Sequence, residues 1–499
     1  MVLLRLSCVV VLALAGGFLS GCEPTVSVEY DAACEGLGEE YCLLPWPSDR
    51  WLAADEETAT GFRLAYESSA IPLNKDGEAF DVESYAFRDG YSPMSQILTL
   101  FRLDVDTAGT EGLAGEGEWE KSLAPESPSI LLDLTTGERV PHFVEIDARA
   151  HEDDAEQLVP DPQLLYIRPA RRLLEDRSYG VALRNIRLVD GSWAEPSESF
   201  AALRNGQKTD SEELEARRPG YDTLFSKLEE AGVPREQLVQ GWHFHTASGD
   251  NLRGSLIAMR DDAMERVPVG GGECTVTNVS EEPSDSTLRR VDGTFSSPLY
   301  MDGPYTGSRV VRGNDGLPEF QGWVEVPFTL LIPQSLNAED AEPGRLLAFG
   351  HGLMGQARDE GGGGFLSELG NRYGMVTVAT DWQGMSVPDL ATVGIALSDV
   401  STFPSTGERL MQGVVNNLVM TRSFKGACRD LPELQVTSGP AIDEGPPYWL
   451  GISQGGIMGA TVMALSQDTE RGALLVGAAN YPVMIGRSVD FYSYEVVFR

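Results

Sequence analysis

The chain has 499 residues, 42% of them hydrophobic, with 76 acidic against 38 basic side chains and a formal charge of −38. That length suggests two or more domains. The acidity argues against nucleic acid and anionic lipid surfaces as partners and says nothing about fold.

The first element reads as a leader. Arg5 is its one charge, an apolar run continues to Leu19, and Leu19-Ser20-Gly21-Cys22 follows. The run is too short to span a bilayer comfortably and is built like a secretory signal. Its ending resembles the bacterial lipobox. That implies cleavage before Cys22 and lipid on that cysteine, so that the membrane is met through the anchor alone. Glu23 in the next position favours the outer membrane; a plain signal followed by a chance cysteine is the rival reading. Losing residues 1–21 removes only Arg5, taking the charge from −38 to −39.

Cys8 leaves with the leader and Cys22 is taken by lipid, so Cys34, Cys42, Cys274 and Cys428 remain in an oxidising compartment. Cys34–Cys42 is the favoured local pair, with Cys274–Cys428 as the long-range one, although sequence alone allows three pairings. No C-x-x-C or Cys/His cluster appears, so no metal and no other cofactor is expected.

Residues 22–267 read as a β-rich domain with some helices. Residues 130–134 and 140–146, joined by Thr135-Thr136-Gly137-Glu138, read as a hairpin, with further strands over 164–167 and 179–183. Tyr221, Leu224, Phe225 and Leu228 fall at i, i+3, i+4 and i+7, which predicts a helix stopped by Gly232. In Trp242-His243-Phe244-His245-Thr246 both imidazoles share one strand face, and Trp242, Phe244 and Thr246 pack on the other. Gly270-Gly271-Gly272 and the polar stretch 280–286 mark a linker over 268–290.

From 291 to 499 strands alternate with helices. Strands are expected over 323–332, 345–349, 375–380, 449–452 and 473–476, and Leu410, Val414, Leu418 and Thr421 share a helix face. This predicts an α/β domain with a mostly parallel sheet covered by helices. His351-Gly352-Leu353-Met354-Gly355 follows an early strand, with His351 read as a loop organiser rather than a base. Gly361 to Gly364 reads as a flexible loop, with a mobile flap as the alternative. Asp381 reads as a loop-capping carboxylate in preference to a pocket-rim one.

The chain's most informative stretch is Tyr448-Trp449-Leu450-Gly451-Ile452-Ser453-Gln454-Gly455-Gly456. An apolar strand enters G-x-S-x-G and a small-residue helical run leaves it, which is the context of an α/β-hydrolase nucleophile elbow. Gly451 and Gly455 leave room for a turn that projects Ser453. The backbone amides of Gln454 and Leu353 are the expected oxyanion donors. A hydrolase of this fold places its Asp or Glu and then its His after the serine. Here all five histidines (142, 151, 243, 245 and 351) precede Ser453, and Asp468 and Asp490 are the only later aspartates.

Cys42-Leu43-Leu44-Pro45-Trp46-Pro47-Ser48-Asp49-Arg50 resembles the opening of bacterial virulence-factor lipases. Gly241-Trp242-His243-Phe244-His245-Thr246 is similar to that group's W-x-F-x-T strand, and 479–482 with 487–491 to its segment after the elbow. The resemblance implies a β-rich N-terminal domain, an α/β-hydrolase domain and hydrolysis of carboxylic esters, whether small-molecule or lipid. It also implies an Asp and a His beyond residue 499, so the chain is expected to be incomplete at its C-terminus and inactive as it stands. Two rival expectations are a non-enzymatic surface lipoprotein that keeps the scaffold for binding, and another acyl hydrolase such as a peptidase or polyester depolymerase.

Overall fold

A computed structural model describes residues 25–37, 41–71, 73–74, 76–147, 163–479, 481, 484 and 487–489. The leader, Cys22, His151, Asn480, Pro482, Asp490 and Phe491 lie outside the described residues. The chain divides between Leu252 and Arg253 into two compact units.

The first unit is β-rich. A short hairpin, β1 (Leu52–Ala54) with β2 (Phe62–Leu64), accompanies two three-stranded antiparallel sheets. One has the order β3 (Ile97–Thr99), β6 (Leu165–Pro169), β5 (His142–Ile146). The other runs β4 (Ser129–Asp133), β7 (Ser178–Arg184), β8 (Leu238–His245). Leu131, Val181, Trp242 and Phe244 pack with Ile97, Val144 and Ile167 in one core. The opposite face of β4 and β7, with Ile130, Leu132 and Ala182, is covered by α1 (Glu198–Arg204) and α2 (Glu212–Glu230). Tyr221, Leu224, Phe225 and Leu228 form the buried stripe of α2, as their spacing requires.

The expected hairpin over 130–146 is present at its turn end: the Asp133 N–H reaches the Glu138 carbonyl at 2.9 Å, Leu132 bridges Arg139 antiparallel, and the Val140 N–H reaches the Leu131 carbonyl at 2.7 Å. Its turn does close, with Gly137 at φ 76° and its N–H on the Asp133 carbonyl at 2.8 Å. The strands then part, β4 pairing with β7 and β5 with β6. Every residue of β4 is buried, so it needs cover on both faces, which a two-stranded ribbon cannot supply.

The second unit holds a seven-stranded sheet of order β17-β16-β12-β13-β11-β10-β9. These strands are β9 (Cys274–Ser284), β10 (Thr287–Leu299), β11 (Gly322–Pro333), β12 (Arg345–Gly350), β13 (Met375–Ala379), β16 (Tyr448–Ile452) and β17 (Arg471–Leu475). A two-residue pair, β14 (Gln435–Val436) and β15 (Gly439–Pro440), stands apart. Strands β13, β12, β16 and β17 are parallel, and β11, β10 and β9 extend the sheet antiparallel. Helices cross between the parallel strands: α4 (Ala357–Glu360) and α5 (Gly364–Tyr373), then α6 (Leu390–Ser398) and α7 (Phe403–Lys425), then α8 (Gln454–Leu465). Along β12, Leu346 and Ala348 face the core built on α7 and α3 (Ser255–Arg266). Leu347 and Phe349 face the core under Ala357 and Leu366. Alternation along a doubly covered strand makes every position apolar.

Residues 268–290, expected as a linker, contain β9 and the start of β10. Their polar composition reflects an outer strand that is largely exposed. The triple glycine packs against the end of α7. A Cβ on Gly271 would lie 2.6 Å from the Ser423 Cα, and the Gly272 N–H donates to Ser423 Oγ at 3.0 Å. Both favoured disulfides are present, Cys34–Cys42 and Cys274–Cys428. Among the described residues no helix is long and apolar enough to cross a membrane.

Candidate active site

Strand order locates the site. The chain leaves β12 for β13 on one side, whereas β16 lies on β12's other side and continues to β17. The crevice beyond the carboxyl ends of β12 and β16 is therefore the sheet's topological switch point, where open α/β sheets bind ligands. Gly350 pairs with Gly451 in register, so the segments that follow, 351–353 and 452–454, emerge side by side.

Ser453 sits between β16 and α8 at φ 53°, ψ −118°. This is a costly conformation for a residue with a Cβ, and it persists only where its surroundings over-determine it. They do so here by leaving no room. A Cβ on Gly451 would overlap the Gly455 carbonyl oxygen, and one on Gly455 would overlap that of Gly350. A Cβ on Gly350 would meet Trp449 at 2.8 Å and Trp382 at 3.0 Å. The Ser453 N–H is spent on the Leu475 carbonyl at 3.0 Å. The Gln454 amide stands in the first turn of α8, where N–H groups have no acceptor within the helix.

The loop after β12 is fixed by His351, which is buried. Its Nε2 accepts the Trp382 backbone N–H at 2.9 Å, so Nδ1 carries the hydrogen and donates to the Gly352 carbonyl at 2.8 Å. The Gly355 N–H donates to that same carbonyl at 3.2 Å. A trans peptide points its N–H opposite to its C=O, so the Leu353 N–H is aimed away from His351. The Gly352 N–H is taken by Glu360 Oε2 at 2.8 Å. Of the two amides, Leu353 is the one left to serve as a donor.

The remaining candidates are committed elsewhere. Asp381 Oδ1 accepts the Ala357 N–H at 2.6 Å, capping α4. Asp468 is paired with Arg422 at 2.8 Å and Lys425 at 3.5 Å. It precedes β17, which is parallel to β16, so it lies at the sheet edge opposite Ser453. In the first unit His243 Nδ1 meets Asp49 Oδ2 at 2.7 Å, and His245 holds Asp176 at 3.1 Å and Ser178 at 2.9 Å. His142 donates from Nδ1 to the Val140 carbonyl and receives the Ser129 hydroxyl at Nε2, both at 2.9 Å; burial pushes its pKa down to about 4. The two imidazoles of the H-x-H strand thus take separate carboxylates. Among the described residues no group of three or more His, Cys, Asp or Glu could hold a metal ion.

Gly361 and Gly362 are packed, whereas Gly364, at the start of α5, is exposed with open space where a Cβ would lie. A Cβ on Gly361 would meet the Ala379 Cβ at 2.7 Å, and one on Gly362 would meet the Arg358 carbonyl oxygen at 2.8 Å. Sequence reasoning missed Glu360 and the buried Asp389–Arg409 pair. Neither carries a motif, because each acts on backbone brought near it only by folding.

The chain matches no protein-family model and no curated protein. Among solved structures it is similar to the acetyl xylan esterase from Paenibacillus sp. R4 (15% identity, TM-score 0.30, covering 50% of this chain and 66% of that one). It is also similar to acetyl xylan esterase 1 from Thermoanaerobacterium sp. JW/SL YS485 (12%, 0.26, 50% and 71%). A third is the rice cell wall degrading esterase LipA from Xanthomonas oryzae (17%, 0.22, 42% and 51%), so the chain spans about half of that esterase's length. These likenesses carry no part of the site assignment. The strand order, the switch point and the serine elbow together give the second unit an α/β fold of the hydrolase type.

Proposed function

We propose that the chain is a serine hydrolase of carboxylic esters with Ser453 as nucleophile. The observation that carries this is the Ser453 backbone at φ 53°, enforced by Gly451 and Gly455 at the switch point. Ser453 Oγ attacks the acyl carbon as its proton passes to a general base, which returns it to the departing alcohol. The amides of Leu353 and Gln454 receive the charge that develops on the carbonyl oxygen, the alcohol departs, and water releases the acyl group. His142, His245 and His351 hold partners at both ring nitrogens, so none of these three is free to take the proton, while His243 is held through Nδ1 by Asp49. That observation also favours a second reading, a binding lipoprotein on a hydrolase scaffold.

The finer reading is a member of the bacterial virulence-factor lipase group, exported and held at the outer membrane by lipid on Cys22, with no nucleic-acid partner. It is supported by the motifs around Pro45 and Trp242, by Leu19-Ser20-Gly21-Cys22 and by the charge of −38. Labelling by a fluorophosphonate probe, with hydrolysis of p-nitrophenyl acetate, tests the esterase reading. Slow labelling and turnover that both vanish in Ser453→Ala support it. Absence of both in the unaltered chain favours the binding scaffold.

A further inference from the structure

The short helix α4 makes three bonds whose sum has a direction. Its first residue, Ala357, donates its N–H to Asp381 Oδ1 at 2.6 Å, which ties it to the end of β13. The carbonyl of Arg358 accepts Arg290 Nη2 at 2.9 Å, and Arg290 is itself braced by Asp292 at 3.0 Å. Asp292 in turn accepts the Thr329 hydroxyl at 2.8 Å, so this brace is anchored on β10 and β11. The last residue, Glu360, then reaches the loop after β12 and takes the Gly352 N–H at 2.8 Å. Gly355 completes the contact by having no side chain, since a Cβ there would overlap Glu360 Oε1. Helix α4 is thereby held on the end of β13 and on the β10–β11 brace, and applied to a loop.

We propose that Glu360 is a positioning residue for the Leu353 amide, and that α4 is the clamp through which it acts. The proposal rests on the esterase reading for its catalytic consequence, although the clamp itself does not. Glu360 fixes the peptide before Gly352, and His351 with the Gly355 N–H fixes the peptide after it. With both flanking planes set, the Leu353 N–H has one direction. Gly352 to Gly355 closes a β-turn in which Met354 stands at φ 51°, a costly position for a residue with a Cβ. Without Glu360 the Gly352 N–H is free to turn, and the Leu353 amide keeps its holds through the Gly352 carbonyl but loses the one that fixes the peptide before it. Preorganisation of that kind is where such donors derive their effect. Glu360 touches no reacting atom, and its requirement is for an acceptor oxygen rather than a charge.

The test uses the full chain and the variants Glu360→Ala, Glu360→Gln and Gly355→Ala. Hydrogen exchange over residues 351–356 reads the clamp without reference to activity. Glu360→Ala and Gly355→Ala should raise exchange there about tenfold or more, and Glu360→Gln, which keeps an acceptor oxygen, should leave it near the unaltered rate. Wherever Ser453-dependent turnover is measurable, Glu360→Ala should lower kcat by about ten- to a hundredfold, less than or comparable to the loss of a whole donor. KM should stay within about twofold, and Glu360→Gln should restore most of kcat. Unchanged exchange in Glu360→Ala overturns the proposal whether or not the chain is active. Equal loss of kcat in Gln and Ala overturns it too, since it would mean that charge is what matters. Altered exchange with no turnover dependent on Ser453 leaves the clamp standing and removes the esterase reading.

Discussion

Asp389 and Arg409, twenty residues apart, form an ion pair at 2.9 Å with side chains only 2% and 5% exposed. The other oxygen of Asp389 accepts the Gly384 N–H at 2.8 Å and the Ser386 hydroxyl at 2.9 Å. Arg409 also donates to the Tyr305 carbonyl and the Ser308 hydroxyl. The pair therefore holds the turn after β13, whose Val387 N–H reaches the Gly355 carbonyl of the candidate oxyanion loop at 3.2 Å. Removing one partner strands a buried charge, which typically costs about 3–5 kcal/mol. Arg409→Met should lower the unfolding free energy of the second unit by about that amount. Adding Asp389→Asn, which keeps an acceptor for the turn but removes the stranded charge, should recover part of it. Urea denaturation of the two variants decides; a double variant no more stable than Arg409→Met would contradict the account.

A second prediction concerns pH and the first unit. His142 is fully buried and neutral, with its pKa held down to about 4 against 6.5 when exposed. Between those values the unfolded chain binds a proton that the native state refuses, so stability is lost as pH falls. The loss should run from about pH 6.5 to 4 and total on the order of 3 kcal/mol. Unfolding midpoints across that window measure it. His142→Gln, which can both donate and accept, should flatten the slope, and an unchanged slope would assign it to other groups.

The disulfides should differ in effect. Cys274–Cys428 closes a separation of 154 residues and Cys34–Cys42 one of eight. Loop entropy predicts about 5 kcal/mol for the first and about 2–3 kcal/mol for the second. Urea midpoints of Cys428→Ser and Cys42→Ser should fall in that order. Peptide mapping without reduction should recover both linked pairs, and free thiols at all four positions would refute them.

Anchoring is the last prediction, motivated by Leu19-Ser20-Gly21-Cys22. Expressed in a bacterial host, the protein should partition into detergent, and Cys22→Ser should move it to the aqueous phase. Charge cannot account for membrane retention, because so acidic a chain is repelled by anionic headgroups. Equal aqueous release of both forms would end the lipid-anchor proposal.

Much of this protein was written locally. The elbow was legible because its constraint is steric and spans five residues: Gly451 and Gly455 give the space that Ser453 needs at φ 53°. Helix α2 was legible because its buried stripe repeats with the helical period. Other features depend on which segments become neighbours, and no short pattern encodes that. The hairpin over 130–146 holds from its turn to Leu131 and Val140, and beyond them β4 pairs with β7 and β5 with β6. Residues 268–290 read as a linker because an exposed outer strand has the composition of a loop. The partners of His243 and His245 lie 194 and 69 residues away, and Glu360 lies eight residues from the amide it holds. A hydrogen bond is decided by direction and distance within a few tenths of an ångström, and only the folded chain sets those.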